Sequence, residues 1–94
     1  MEYVKRLMKD AETAVLDDEL IERILKSNDC RVFLKAIGRV DCPPGLLVDL
    51  SQSLDAEVRM AVARHPNAPD ATVLRLQRDT ERRVATTARS RASQ

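Results

Sequence analysis

Aromatic side chains are nearly missing: Tyr3 and Phe33 are the whole complement, and there is no tryptophan. A core without rings must be assembled from Leu, Val, Ile, Ala and Met, a palette that favours helices over a β-sandwich or barrel. Glycine is equally scarce. Gly38 and Gly45 are far too few for the tight positive-φ turns of a small sheet protein. Cysteine occurs twice, at Cys30 and Cys42, and so cannot supply the paired ligands of a zinc or iron-sulfur site. In a reducing compartment two such residues read as buried small hydrophobes, although their spacing also permits a Cys30 to Cys42 bridge. No apolar run is long enough for a signal peptide or a membrane span, which makes a cytoplasmic location the expectation. There is also no Gly-rich phosphate loop, no H-E-x-x-H and no G-x-S-x-G. The reading is therefore not an enzyme, with no cofactor and no metal.

What is present suits one small helical domain. The 94 residues are 44% hydrophobic and 33% charged, enough apolar material for a single core and too little chain for a second. Net charge is only +1, but its distribution is uneven. Seven acids lie between Asp10 and Asp29 (Asp10, Glu12, Asp17, Asp18, Glu19, Glu22, Asp29), against Arg23 and Lys26. From Arg59 onward eight arginines (59, 64, 75, 78, 82, 83, 89 and 91) face Asp70, Asp79 and Glu81. Such a dipolar chain attracts either a second copy, head to tail, or two separate partners. Twelve of the sixteen basic residues are Arg, a bias of GC-rich bacterial or phage genomes.

Apolar spacing predicts the helices. Val4, Leu7, Met8, Ala11 and Val15 mark a first face, and Leu20, Ile21, Ile24 and Leu25 a second behind Asp17 and Asp18. Val32, Phe33, Ala36, Ile37 and Val40 mark a third after the polar break Ser27, Asn28, Asp29. Pro43 and Pro44 stop it, and Pro44 opens a short helix carrying Leu46, Leu47, Leu50 and Leu54. Asp55 caps the next, Asp70 another short one, and Asp79 or Thr80 starts the last.

The chain also repeats itself. D-A-E-V-R-M-A-V-A from Asp55 set over D-T-E-R-R-V-A-T-T from Asp79 matches Asp, Glu, Arg and Ala at a spacing of 24. F-L-K-A-I-G-R from Phe33 set over V-R-M-A-V-A-R from Val58 gives a spacing of 25, which also carries Pro44 onto Pro69, and a one-residue slip brings Leu47, Val48 and Leu50 onto Val73, Leu74 and Leu76. Periods of this size belong to stacked helical repeats. The stretch D-A-E-V-R-M-A-V-A-R-H-P-N-A-P-D-A-T-V-L-R-L-Q-R-D resembles the leucine-rich repeat variant family, whose units are similar in style to HEAT repeats. The resemblance covers one good unit, about a quarter of the chain, with weaker copies on either side. It implies a right-handed stack alternating an α-helix with a shorter helix, often 3₁₀, and no enzymatic activity. The cysteine cluster that binds iron and sulfur in some members has no counterpart here. In this alignment Arg82, Thr86 and Thr87 fall where Val58, Val62 and Ala63 sit, the polar substitution a terminal capping repeat needs.

The expectation is thus an all-α, right-handed stack of six or seven short helices. Residues 1–89 form a single helical-repeat domain, with capping helices over 1–28, repeats over 29–89 and a frayed tail over 90–94. The functional expectation is a protein-protein interaction module, an adaptor or an inhibitor of a bacterial or host protein. Tyr3 and Leu7 would be exposed apolar anchors; Asp17, Asp18 and Glu22 an acidic contact surface; Arg75, Arg78, Arg82, Arg83 and Arg89 a basic one. The alternative is a sequence-tolerant nucleic-acid binder that meets phosphates through the arginine face, although no interleaved aromatics offer base stacking. Several features have simpler structural readings. Asp17, Asp18 and Glu19 read as a helix cap and first turn, His65 as a cap on helix-end carbonyls, Met1, Met8 and Met60 as core or terminal fillers, and Arg59 as half of an inter-repeat ion pair.

Overall fold

A computed structural model describes residues 2–92, and these form seven α-helices with no strand among them. Helix α1, Glu2–Thr13, lays Leu7 and Ala11 on α3 with no exposed surface left on either. It ends before Val15, which is 80% exposed, so the expected first stripe is one residue too long. The Asp17 carboxylate then accepts the Leu20 N–H at 2.8 Å and starts α2, Asp18–Ser27. Asn28 closes α2 in the left-handed region at φ 47°, its N–H returning to the Leu25 carbonyl. An Asn or Gly is favoured there because a Cβ with no polar tip is strained at positive φ.

Asp29 caps α3, Cys30–Ile37, by accepting the Arg31 N–H at 2.9 Å. Val32, Phe33, Ala36 and Ile37 turn inward, whereas Val40 lies beyond the helix end and is 89% exposed. Pro44 opens α4, Pro44–Leu50, as expected, with Leu46, Leu47 and Leu50 buried and Leu54 fully exposed beyond it. Asp55 caps α5, Ala56–Arg64, through the Glu57 N–H at 2.7 Å. The cap of α6, Asp70–Leu76, is Pro69 rather than Asp70, which is the first helical residue and makes no side-chain cap. Pro69 already holds the extended backbone a cap needs, at φ −61° and ψ 148°. Both short helices, α4 and α6, are α-helical rather than 3₁₀. Helix α7, Arg82–Ala92, runs past Ser90, where a frayed tail was expected; Ser93 and Gln94 lie outside the described residues.

The odd-numbered helices pack in succession, α1 on α3, α3 on α5 and α5 on α7, with α2 lying against α1 and α3, α4 against α5, and α6 against α5 and α7. The body measures 39 × 22 × 15 Å. Along it the burial pattern recurs. Leu7, Val32, Val58 and Val84 are all fully buried, and so are Ala11, Ala36, Val62 and Ala88. Each step is 25 or 26 residues, and the caps Asp29 and Asp55, Pro43 and Pro69, and Ser51 and Gln77 are 26 apart. This register corrects the sequence alignment at both steps: Val32 and Pro43, not Phe33 and Pro44, correspond to Val58 and Pro69. Val84 and Ala88, not Arg82 and Thr86, take the places of Val58 and Val62, because α7 begins three residues after Asp79 while α5 begins directly after Asp55. The inward stripe of α7 is therefore apolar, and the chain keeps its core to the last helix.

Candidate functional site

Arginines were among the expected contacts, and several of the chain's arginines, Arg75 and Arg83 among those expected, are engaged within it. Arg59 and Asp79, 16% and 10% exposed, pair through two hydrogen bonds of 2.8 and 3.2 Å, and Arg59 also donates to the Ser53 carbonyl. Burial works to raise the Asp79 carboxyl, but the Arg59 guanidinium and the Glu81 N–H outweigh it and hold the group below its ordinary value. Arg75 donates to the Ser51 hydroxyl, and Arg83 bridges Glu57 and Glu81 at 3.2 and 3.8 Å. Arg31 returns to its own cap residue, and this pairing draws the Asp29 carboxyl down to about 2. Among the proposed basic contacts, Arg78, Arg82 and Arg89 are exposed, and no carboxylate among the described residues ion-pairs with Arg78 or Arg82.

A second set of polar side chains ties helix ends together. Arg39 donates to the carbonyls of Ala11 and Ala14, at the end of α1, while its other edge holds Asp41. His65, 26 residues on, places Nε2 2.6 Å from the Arg39 carbonyl and accepts the Asn67 N–H on Nδ1 at 3.0 Å. Those two partners define a neutral ring protonated on Nε2. Arg91, a further 26 residues on, donates to the carbonyls of Ala63, His65 and Pro66. Carbonyls at the end of a helix have no partner within it, and each of these side chains supplies one to the preceding odd-numbered helix. His65 is thus a buried structural cap, 6% exposed, with no open position for chemistry.

The other anticipated residues separate. Leu7 is fully buried, so it is not an exposed anchor: α1 packs on α3 as part of the core, and its i, i+4 pair with Ala11 faces that contact. Tyr3 is 59% exposed. Asp17 is spent on capping α2; Asp18 is exposed in its first turn, and Glu22 pairs with Lys26 at 2.8 Å, which lowers the Glu22 carboxyl. Both cysteines are free thiols: burial pushes Cys42 up to about 11, and a hydrogen bond to the Asp55 carboxylate raises Cys30. Among the described residues no cluster of His, Cys, Asp and Glu could hold a metal ion, and no helix is long and apolar enough to cross a membrane.

Three clefts follow one another along the odd-numbered helices, and a further one, about 250 Å³, lies beside α1 and α2 between Asp10, Val15, Asp17, Glu19 and Arg23. Glu12, Lys35 and Asp41 line the one between α1 and α3, about 650 Å³, and Arg64, Thr86, Thr87 and Ser90 the one between α5 and α7, about 400 Å³. The middle cleft, about 310 Å³, differs in character. It is lined by Leu34, Ile37, Gly38, Val40, Ala61 and Pro66, with Arg39, Arg64 and His65 among them. Leu34 and Val40, 38% and 89% exposed, share this cleft, whereas the other exposed large apolar residues (Tyr3, Val15, Leu54 and Leu74) line none of the three. Sequence periodicity missed it by assigning Val40 to the buried stripe of α3. The available signal was Gly38, which stands at the helix end two residues earlier.

The odd-numbered helices also carry the positive charge, with eleven basic against four acidic residues, while the even-numbered ones carry three against five. The gradient read along the chain is, in the fold, partly a difference between two layers. No family model, curated protein or solved structure matches this chain.

Proposed function

We propose that the chain is a non-enzymatic protein-binding module of the leucine-rich repeat variant, HEAT-like kind, a right-handed helical stack that docks its partner on the face of α1, α3, α5 and α7. The observation that carries this reading is the apolar middle cleft, where two of the exposed large apolar residues, Leu34 and Val40, come together. An exposed aliphatic pair at a concave site is the usual anchor point of a protein contact. The commitments of Arg31, Arg39, Arg59, Arg75, Arg83 and Arg91 within the chain count against a phosphate-binding ridge. The recurrence at 25 or 26 residues supports the helical-repeat reading, since each step reproduces the same buried positions.

The test compares a Leu34→Asp, Val40→Asp double variant with an Arg82→Glu, Arg83→Glu double variant. A protein complex captured by the native chain should be lost with the first pair and survive the second. Tight binding of random-sequence duplex DNA, steeply weakened by salt and abolished by the arginine pair, would replace the proposal with a nucleic-acid-binding one.

A further inference from the structure

The middle cleft is specific in its chemistry. Its apolar lining offers room for an aliphatic side chain between Leu34, Val40 and Ala61, beside the helix end at Gly38. Beside it the one charge without a counter-ion is cationic, since Arg39 is held by Asp41 and, in the adjoining cleft, Lys35 by Glu12. Arg64 lines both this cleft and the next, is exposed, and ion-pairs with no carboxylate among the described residues. Lys35, at 43% exposure, lines the adjoining cleft that shares Leu34, Gly38 and Val40 with this one, and its only described tie is Glu12 at 3.3 Å. The layer as a whole is strongly basic. A partner that buries an apolar group here must therefore bring negative charge around it, because a neutral or basic one would desolvate Arg64 without compensation. A nucleic acid brings the charge but no aliphatic group for the slot, and no Phe, Tyr or Trp lines this cleft to stack on a base.

We infer that the α3–α5 cleft binds an acidic protein segment, seating one aliphatic side chain between Leu34, Val40 and Ala61 while a carboxylate beside it meets Arg64. This rests on the protein-binding reading above and names the chemistry of its partner.

The experiment selects a random-peptide display library on the immobilised protein, with parallel selections on Val40→Asp and Arg64→Glu, both at exposed positions where helicity can be confirmed by circular dichroism. The expected result is enrichment of peptides that combine an aliphatic residue with Asp or Glu. A synthetic representative should bind at least about tenfold more weakly to either variant and shift the amide resonances of Leu34, Gly38, Val40 and Ala61. Neutral or basic peptides that depend on Val40 would overturn the acidic partner and leave the protein-binding reading standing. Peptides indifferent to Val40, or none at all, would overturn both. Displacement of the selected peptide by a duplex oligonucleotide that binds Val40→Asp as well as the native chain would assign the face to nucleic acid instead.

Discussion

Arg59 and Asp79, twenty residues apart in the chain, close a two-bonded ion pair that fastens α5 to the turn leading into α7. Both side chains are largely withdrawn from water, so removing one leaves the other charged, buried and without its partner. Arg59→Ala is expected to cost about 3–5 kcal/mol of unfolding free energy, measured by urea denaturation. Arg59→Lys should recover only part of this, because an ammonium cannot span both carboxylate oxygens and the Ser53 carbonyl together. A variant within experimental error of the native chain would show that the pair is dispensable.

His65 ties α5 to the helix end before it. His65→Ala removes the acceptor of the Asn67 N–H and one of the two donors to the Arg39 carbonyl, which keeps the Cys42 N–H at 3.3 Å, and should destabilise the fold by about 1–3 kcal/mol. Arg91→Ala, which takes this donor from the carbonyls of Ala63 and Pro66 and leaves the His65 carbonyl with the Ala68 N–H alone, is expected to have an effect of similar size. The two residues share the His65 position as donor and acceptor, so a double-mutant cycle should show non-additivity.

Acid should weaken the protein in a defined window. The Asp29 carboxyl sits at about 2 in the folded chain because Arg31 bonds its charged form, and Asp55 and Asp79 are also held below their ordinary value. A carboxyl depressed on folding stabilises the native state fully above its unfolded value, about 4, and loses that contribution as pH falls through its folded value. The thermal midpoint is thus expected to drop between pH about 4 and pH about 2, with a shallower drop for Asp29→Asn. A midpoint flat across that range would contradict the depressed carboxyls.

The two thiols should differ in reactivity. Cys42 is fully buried and pushed up to about 11, so it presents almost no thiolate at neutral pH. Alkylation with iodoacetamide, followed by mass spectrometry, should modify half-buried Cys30 first and reach Cys42 only as denaturant unfolds the chain. Rapid native-state labelling of Cys42 would refute its burial.

Asn28 offers a conformational test. It carries the one positive φ found outside glycine among the described residues, at the end of α2. Asn28→Ala should cost about 1 kcal/mol, since alanine lacks asparagine's tolerance of this region, whereas Asn28→Gly should be neutral or slightly stabilising. Equal loss in both variants would mean that the asparagine side chain, not the backbone angle, matters here.

Most of the local structure was legible in the residues themselves. Asp17, Asp29 and Asp55 declare helix starts because a short carboxylate reaches the N–H two or three residues on, and Pro43 and Pro44 stop one helix and open another because proline has a fixed φ and no N–H. An ion pair for Arg59 was also anticipated from its recurrence, though not that Asp79 is the acid it meets. What the chain order could not convey is which of its many similar residues meet. The 24-residue match of Asp79 to Asp55 placed Arg82 on the core stripe, but packing against α5 selects Val84 and Ala88, since only apolar side chains can fill that contact without losing hydration. Leu7 looked like a free anchor until α3 covered it, and Val40 like core until α3 ended before it. Nothing in the sequence marks Arg39 and Arg91 as caps, because the carbonyls they meet are 25 to 28 residues away, on helices that only tertiary packing brings alongside. Helix positions follow from interactions within a few residues and so are written in the sequence, whereas burial, ion pairing and the cleft at Leu34 and Val40 depend on contacts between helices and exist only once those helices are stacked.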